Sequence, residues 1–255
     1  MPYFTFENKQ VYFQELGNGT PILFLHGNTA SSRMFEKIAM EYIQNYKVIL
    51  IDFLGHGRSQ RIEEFPADLW FYEAKQVIAF LEEKNYSQVS LIGSSGGALV
   101  ALNAALERPD LIHNVIADSF EGEYPLKEFT DTVTKQRELS KQDEGARSFY
   151  SLMHGDDWEH VVDCDTRAIE KHAKEICRFF HKPLKNFHPP LLLTGSKGDE
   201  FISQLDINYF EKTFAAMIQK IGHGEQFIFQ KGGHPAMLSN QEEFIRISQV
   251  FLRKH

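Results

Sequence analysis

Short apolar runs alternate with amphipathic helical stretches along most of this chain, and that rhythm restricts its fold more than any other feature. Residues 22–25, 47–53, 89–92, 114–117, 191–194 and 226–230 read as strands. Between and after them, 31–44, 67–84, 98–107, 204–220 and 239–253 carry apolar residues at three- and four-residue spacing. Met34, Phe35, Ile38, Ala39 and Tyr42 form one such face, and Val77, Ile78, Phe80 and Leu81 another. That spacing predicts helices with one buried side. Strands that are apolar on both faces and alternate with helices belong to a parallel sheet covered on both sides. Such sheets bind ligands beyond the carboxyl ends of their strands. Here the strand ends are followed by His26-Gly27-Asn28, Gly55-His56-Gly57, Gly93-Ser94-Ser95-Gly96-Gly97, Gly195–Asp199 and Gly232-Gly233-His234. Several polar loops are therefore expected at one edge of one sheet.

Two alternating stretches, 3–6 and 10–16, precede the repeat and predict an antiparallel hairpin. From 123 to 186 the rhythm stops. No strand is expected there, and helices are predicted at 125–141, 146–154, 158–162 and 166–180. This stretch holds 13 acidic and 11 basic residues, so it carries no strong field. It reads as a helical cap inserted over the sheet edge. The division expected is 1–122 and 187–255 for the two parts of the core, and 123–186 for the cap.

Composition narrows the class. With 255 residues, 42% of them hydrophobic, the chain can bury one large core. A formal net charge of -8 argues against a general nucleic-acid binder. Two cysteines, Cys164 and Cys177, are no disulfide framework and a poor zinc site, and both read as buried or half-buried thiols. The first residues show no basic segment followed by an apolar one, and no run approaches the roughly 18 apolar residues of a membrane span. A cytoplasmic protein acting on a small molecule is the expectation, with oligomeric state left open.

The chemistry centres on Ser95. Gly93-Ser94-Ser95-Gly96-Gly97 fits G-x-S-x-G between a strand and a helix, the sequence of a nucleophile elbow. Ser94 lacks flanking glycines at the right offset. A serine hydroxyl needs a base, and His234 follows a strand near the end of the chain. His26 and His56 also follow strands and read as loop-holding residues. His223 precedes a strand and should face the wrong edge, and the cap histidines His154, His160, His172 and His181 read as solvated. The base needs an acid to orient it. Asp199 is preferred, while Asp118 satisfies the same rule and stays open. Glu200 reads as a surface charge or cap contact. Backbone N–H groups of Gly96 and Asn28 are placed to receive an oxyanion; on this reading the Asn28 side chain has no required role.

Taken together and in order, His26-Gly27-Asn28, Asp52–Ser59 with its Gly55-His56-Gly57, Gly93–Gly97, Gly195–Asp199 and Gly232-Gly233-His234 resemble the α/β-hydrolase superfamily, over nearly the whole chain outside the cap. The resemblance implies an α/β fold: a mostly parallel eight-stranded sheet flanked by helices, opening with an antiparallel hairpin, with a helical cap inserted after strand six. It adds no cofactor and no metal. Residues 52–59 match a recurrent structural loop, with Leu54 where a proline often sits, and take no catalytic role. One fold hosts many reactions. Haloalkane dehalogenases and epoxide hydrolases carry an aspartate where Ser95 stands. One branch acting on amino-acid esters has an acidic residue where Gly96 stands. What the resemblance implies is a carboxylesterase-like serine hydrolase cleaving a small ester through an acyl-enzyme. Cofactor-free haloperoxidase or perhydrolase chemistry, carbon–carbon bond hydrolysis, acyl transfer and a weakly catalytic ligand receptor remain as alternatives.

Overall fold

The computed structural model describes residues 2–202 and 205–255. Its strands are β1 Tyr3–Phe6, β2 Lys9–Leu16, β3 Thr20–Leu25, β4 Tyr46–Ile51, β5 Val89–Ser94, β6 Ile112–Asp118, β7 Leu191–Ser196 and β8 Glu225–Phe229. They form one eight-stranded sheet in the order β1-β2-β4-β3-β5-β6-β7-β8. The pairs β1/β2 and β2/β4 are antiparallel, and every other pair is parallel. The mostly parallel sheet and its leading hairpin are as the sequence predicts.

Side chains alternate across the strands, so each strand feeds two cores. Leu23, Leu25, Ile49, Ile51 and Leu91 point to one face, under helices Leu69–Glu83, Gly96–Glu107 and Tyr209–Ile221. Ile22, Phe24, Val48, Leu50 and Ile92 point to the other, against the short helix Glu36–Ala39 and the closing helix Gln241–Lys254. Phe80 ties the edge hairpin down: its ring centroid lies 5.1 Å from that of Phe4 and 5.0 Å from that of Phe13.

Outside the stretch between β6 and β7, three helices differ from their sequence reading, and within it the helix expected at 125–141 breaks into Lys127–Thr130 and Val133–Ser140. Over 31–44 only Ser32–Phe35 and Glu36–Ala39 are helical. Met40, Glu41 and Tyr42 instead bond to carbonyls three residues back, in tight turns that still bury Phe35, Ile38, Ala39 and Tyr42. The closing helix, expected over 239–253, runs Gln241–Lys254; Asn240, whose ψ of 42° leaves the helical region, separates it from an unexpected short helix Ala236–Ser239. The helix expected from Gln204 starts at Tyr209, and Gln204 itself lies outside the described residues.

Between β6 and β7 the described residues contain helices and no strand: Lys127–Thr130, Val133–Ser140, Glu144–His154 and Trp158–Lys171, the last continued by a π turn His172–Ile176. Trp158–Lys171 runs unbroken across Asp163-Cys164-Asp165, where a gap is expected. Burial of Val161, Val162, Cys164, Ala168 and Ile169 on its inner side outweighs the weak helix propensity of the aspartates. The run ends at Cys177, which turns to φ 61°. Cys164 is buried, but Cys177 is exposed because this turn points it outward. No described helix is long and apolar enough to cross a membrane.

Removing the ring that clamps the hairpin should be costly. Phe80→Ala is expected to lower unfolding free energy by about 3–5 kcal/mol in urea titration. A loss below about 1 kcal/mol would show that the hairpin does not depend on it.

Candidate active site

The junction of β5 and helix Gly96–Glu107 is a single residue, Ser95, held at φ 55° and ψ -120°. A non-glycine residue in this conformation stores about 1–3 kcal/mol and persists only where its surroundings enforce it. They do so through backbone contacts. A Cβ on Gly93 would lie 2.2 Å from the Gly97 carbonyl oxygen, and one on Gly97 would lie 2.0 Å from the Leu25 carbonyl oxygen. Only bare backbone fits, so strand, turn and helix close on each other. The Ser95 N–H donates to the Asp118 carbonyl at 2.7 Å. Ser95 faces a cavity of about 570 Å³. Ser94 is fully buried, and its hydroxyl has no hydrogen-bond partner among the described residues.

His234 lines the same cavity, on the loop after β8. Its Nδ1 donates to Asp199 Oδ2 at 2.8 Å, with Asp199 on the loop after β7. The other Asp199 oxygen accepts from the N–H groups of Phe201 at 2.9 Å and Ile202 at 3.2 Å. These donors aim the carboxylate, and the carboxylate aims the imidazole. Burial opposes the imidazolium of His234. The hydrogen bond and charge of Asp199, helped by the charges of Asp118 and Glu200, outweigh it and hold the His234 pKa above its ordinary value. No direct hydrogen bond joins Ser95 to His234 among the described residues.

Asp118 is engaged elsewhere. Its Oδ1 accepts from the Thr194 hydroxyl at 2.7 Å and its Oδ2 from the Met237 N–H at 3.0 Å. Burial pushes its carboxyl up to about 6 despite those bonds. Of the two carboxylates left open by the sequence, Asp199 is the one hydrogen-bonded to His234.

Gly96 is the first helical residue, so its N–H has no intrahelical acceptor. Gly96, Gly27 and Asn28 all line the cavity. The 26–28 loop reaches the elbow closely, since a Cβ on Gly27 would lie 2.9 Å from Ser95 Cβ. His26 holds that loop: Nδ1 donates to the Gly27 carbonyl at 2.9 Å, and Nε2 accepts from the Phe53 N–H at 3.1 Å.

Other histidines depart from the sequence reading. The ring nitrogens of His56 make no hydrogen bond among the described residues; the ring stands 3.9 Å from the Glu73 carboxylate and is packed by the rings of His26, Phe65 and His154. His154 and His172 are buried rather than solvated. The helices that carry them lie on the core: His154 Nδ1 accepts from the Gly57 N–H at 3.1 Å, Nε2 donates to the Thr29 carbonyl at 3.0 Å, and burial lowers its pKa to about 4. Sequence reasoning also missed Glu200, whose carboxylate accepts from the His234 N–H at 2.9 Å, and the cavity residues Glu121 and Arg137. Burial raises Glu121 to about 8. Among the described residues no group of three or more His, Cys, Asp or Glu side chains is arranged to hold a metal ion.

Comparison with known proteins bears on the fold. A family model for the alpha/beta hydrolase fold matches residues 20–155. The human serine hydrolase BPHL is 23% identical over 96% of this chain and 83% of its own length. An esterase from Exiguobacterium antarcticum superposes with a TM-score of 0.74 at 18% identity, covering 96% of each chain. A serine hydrolase involved in carbazole degradation gives 0.74 at 20% identity, covering 99% of this chain and 98% of its own.

Two outcomes follow from the site geometry. By NMR, the His234 ring is expected to titrate above about 6.5, the ordinary histidine value, and Asp199→Asn to bring it down, because removing the anion removes the support for the imidazolium; a wild-type value below the ordinary one would contradict the electrostatics. Gly97→Ala is expected to cost about 3 kcal/mol or more in chemical denaturation, since its methyl meets backbone rather than a movable side chain.

Proposed function

The chain belongs to the alpha/beta hydrolase fold family, and from that premise we propose that it hydrolyses a small carboxylic ester through an acyl-enzyme on Ser95. The observation that carries this reading is the Asp199–His234 hydrogen bond aimed into the cavity that Ser95 faces. Ser95 Oγ attacks the ester carbonyl as His234 takes its proton. Asp199 keeps the proton on Nδ1 in the free imidazole, so that Nε2 is the base, and stabilises the imidazolium that forms. The carbonyl oxygen becomes an oxyanion, which the Gly96 and Asn28 N–H groups receive. His234 then protonates the leaving alcohol as the tetrahedral intermediate collapses to the acyl-enzyme. Water, deprotonated by His234, attacks the acyl carbon, and the second collapse returns the proton to Ser95 and releases the acid.

The helices of residues 123–186 act on this reading as a lid domain. Phe129, Phe149 and Tyr150 from them line the cavity opposite Leu99, Phe120 and Phe201 of the core. These walls favour an apolar substituent on the substrate. A raised His234 pKa has a consequence for rate. The base is protonated at low pH, so turnover rises as pH passes through a value above the ordinary histidine range.

Ser95→Ala and His234→Ala are expected to lower kcat/KM for a short-chain aryl ester by at least about 10³-fold. Asp199→Asn is expected to lose far more activity than Asp118→Asn. Wild-type turnover in Ser95→Ala would defeat the mechanism, and a reversed order of the two aspartates would move the acid role to Asp118.

A further inference from the structure

Asp165 lies at the middle of the inner side of helix Trp158–Lys171. Its neighbours one turn away in both directions, Val161, Val162, Ala168 and Ile169, are all buried and apolar. Asp165 itself is fully buried. A carboxylate there gives up its hydration, and apolar replacements for buried ionic groups are often as stable or more so. Its Oδ2 has no hydrogen bond among the described residues, and the nearest cation, the Arg137 guanidinium, stands 3.8 Å away. The group is poorly arranged as a source of stability. Its close contacts are to the oxyanion loop: Oδ1 accepts from Asn28 Nδ2 at 2.6 Å, and the Thr29 backbone N–H also supports the carboxylate.

Asn28 is gripped from two further sides. Its Oδ1 accepts from Trp70 Nε1 at 3.1 Å. The same oxygen occupies the space beside Gly96, because a Cβ on Gly96 would lie 2.2 Å from it. The carboxamide is thus wedged between a lid carboxylate, a core indole and the backbone of the residue after Ser95. Its nitrogen donates on one side and its oxygen accepts on the other, so it cannot flip without breaking two bonds. The next residue is held as well: Arg137, from helix Val133–Ser140, donates to the Thr29 hydroxyl at 2.9 Å.

We propose that Asp165 is a positioning residue that fixes the Asn28 N–H against the Gly96 N–H through the Asn28 side chain, so that the oxyanion site is complete only while the lid helix is seated. This rests on the reading that those two N–H groups receive the oxyanion. An oxyanion donor matters in the transition state far more than in the bound substrate, and loss of one costs about 10²–10³ in kcat. Displacing a donor without deleting it should cost less.

The test is a cycle of Asn28→Ala, Asp165→Ala and the double variant, assayed on a short-chain aryl ester with the active-site concentration fixed by burst titration. Asp165→Ala is expected to lower kcat by roughly 10–100-fold with KM nearly unchanged, and to weaken a trifluoromethyl ketone inhibitor in parallel. Because Asp165 acts through Asn28, the double variant should be no slower than Asn28→Ala alone. Asp165→Asn keeps an acceptor oxygen and should recover most of the loss; if Asp165→Ala does not fold, Asp165→Asn takes its place in the cycle, with a smaller loss that must also vanish on the Asn28→Ala background. A purely structural role predicts a lower Tm with unchanged kcat per titrated site, and that result overturns the proposal. So do losses that multiply in the double variant. A wild-type protein that neither turns over an ester nor binds the ketone would overturn the hydrolase reading itself, and the coupling with it.

Discussion

Gly97 packs against the Leu25 carbonyl at the end of β3, at a distance where a methyl group would overlap it. That approach brings the helix after β5 down onto the sheet, and Ser95 is left at φ 55° as the only connection between them. Much else is placed by this contact. The 26–28 loop emerges from the same end of β3, so it meets the elbow directly. The Ser95 N–H is held by β6 through Asp118. The loops after β7 and β8 bring Asp199 and His234 to the same edge. The parallel sheet supplies the shared edge, and the missing side chains at positions 93 and 97 let the serine stand clear of it.

Around that edge the charges are arranged unequally. Asp199 has two backbone donors and a histidine as its partners. Asp118 and Glu121 are desolvated, and burial pushes them up to about 6 and about 8. Only one of these carboxyls, Asp199, is hydrogen-bonded to the imidazole, while the charge of Asp118 adds to the support for the imidazolium. On the proposed mechanism, the same low-dielectric setting that raises Glu121 would strengthen the hydrogen bonds to a developing oxyanion.

The sheet was legible because both of its periodicities are local: apolar runs for strands, three- and four-residue spacing for helices. The elbow was legible for a similar reason, since the glycines that permit the close approach are neighbours of Ser95 in the chain. What was not legible depends on contacts between distant residues. His154 reads as a polar residue on a helix, and its burial is set by Gly57 and Thr29, about a hundred positions earlier. The continuity of Trp158–Lys171 depends on packing that outweighs two aspartates. Asn28 reads as a backbone donor alone, yet its side chain is held by Trp70 and Asp165. One signal for Asp165 is present in the sequence: an acid centred in an apolar helical stripe.

The central claim is that the Ser95 hydroxyl becomes acylated. Rapid quenching of a 4-nitrophenyl butyrate reaction, followed by peptide mass spectrometry, tests it directly. The account predicts a butyryl group on the peptide carrying Ser95, placed on Ser95 by fragmentation and formed within the burst of nitrophenol release. Acylation of Ser94 or of another side chain, or release of product with no acyl-enzyme at all, would contradict it.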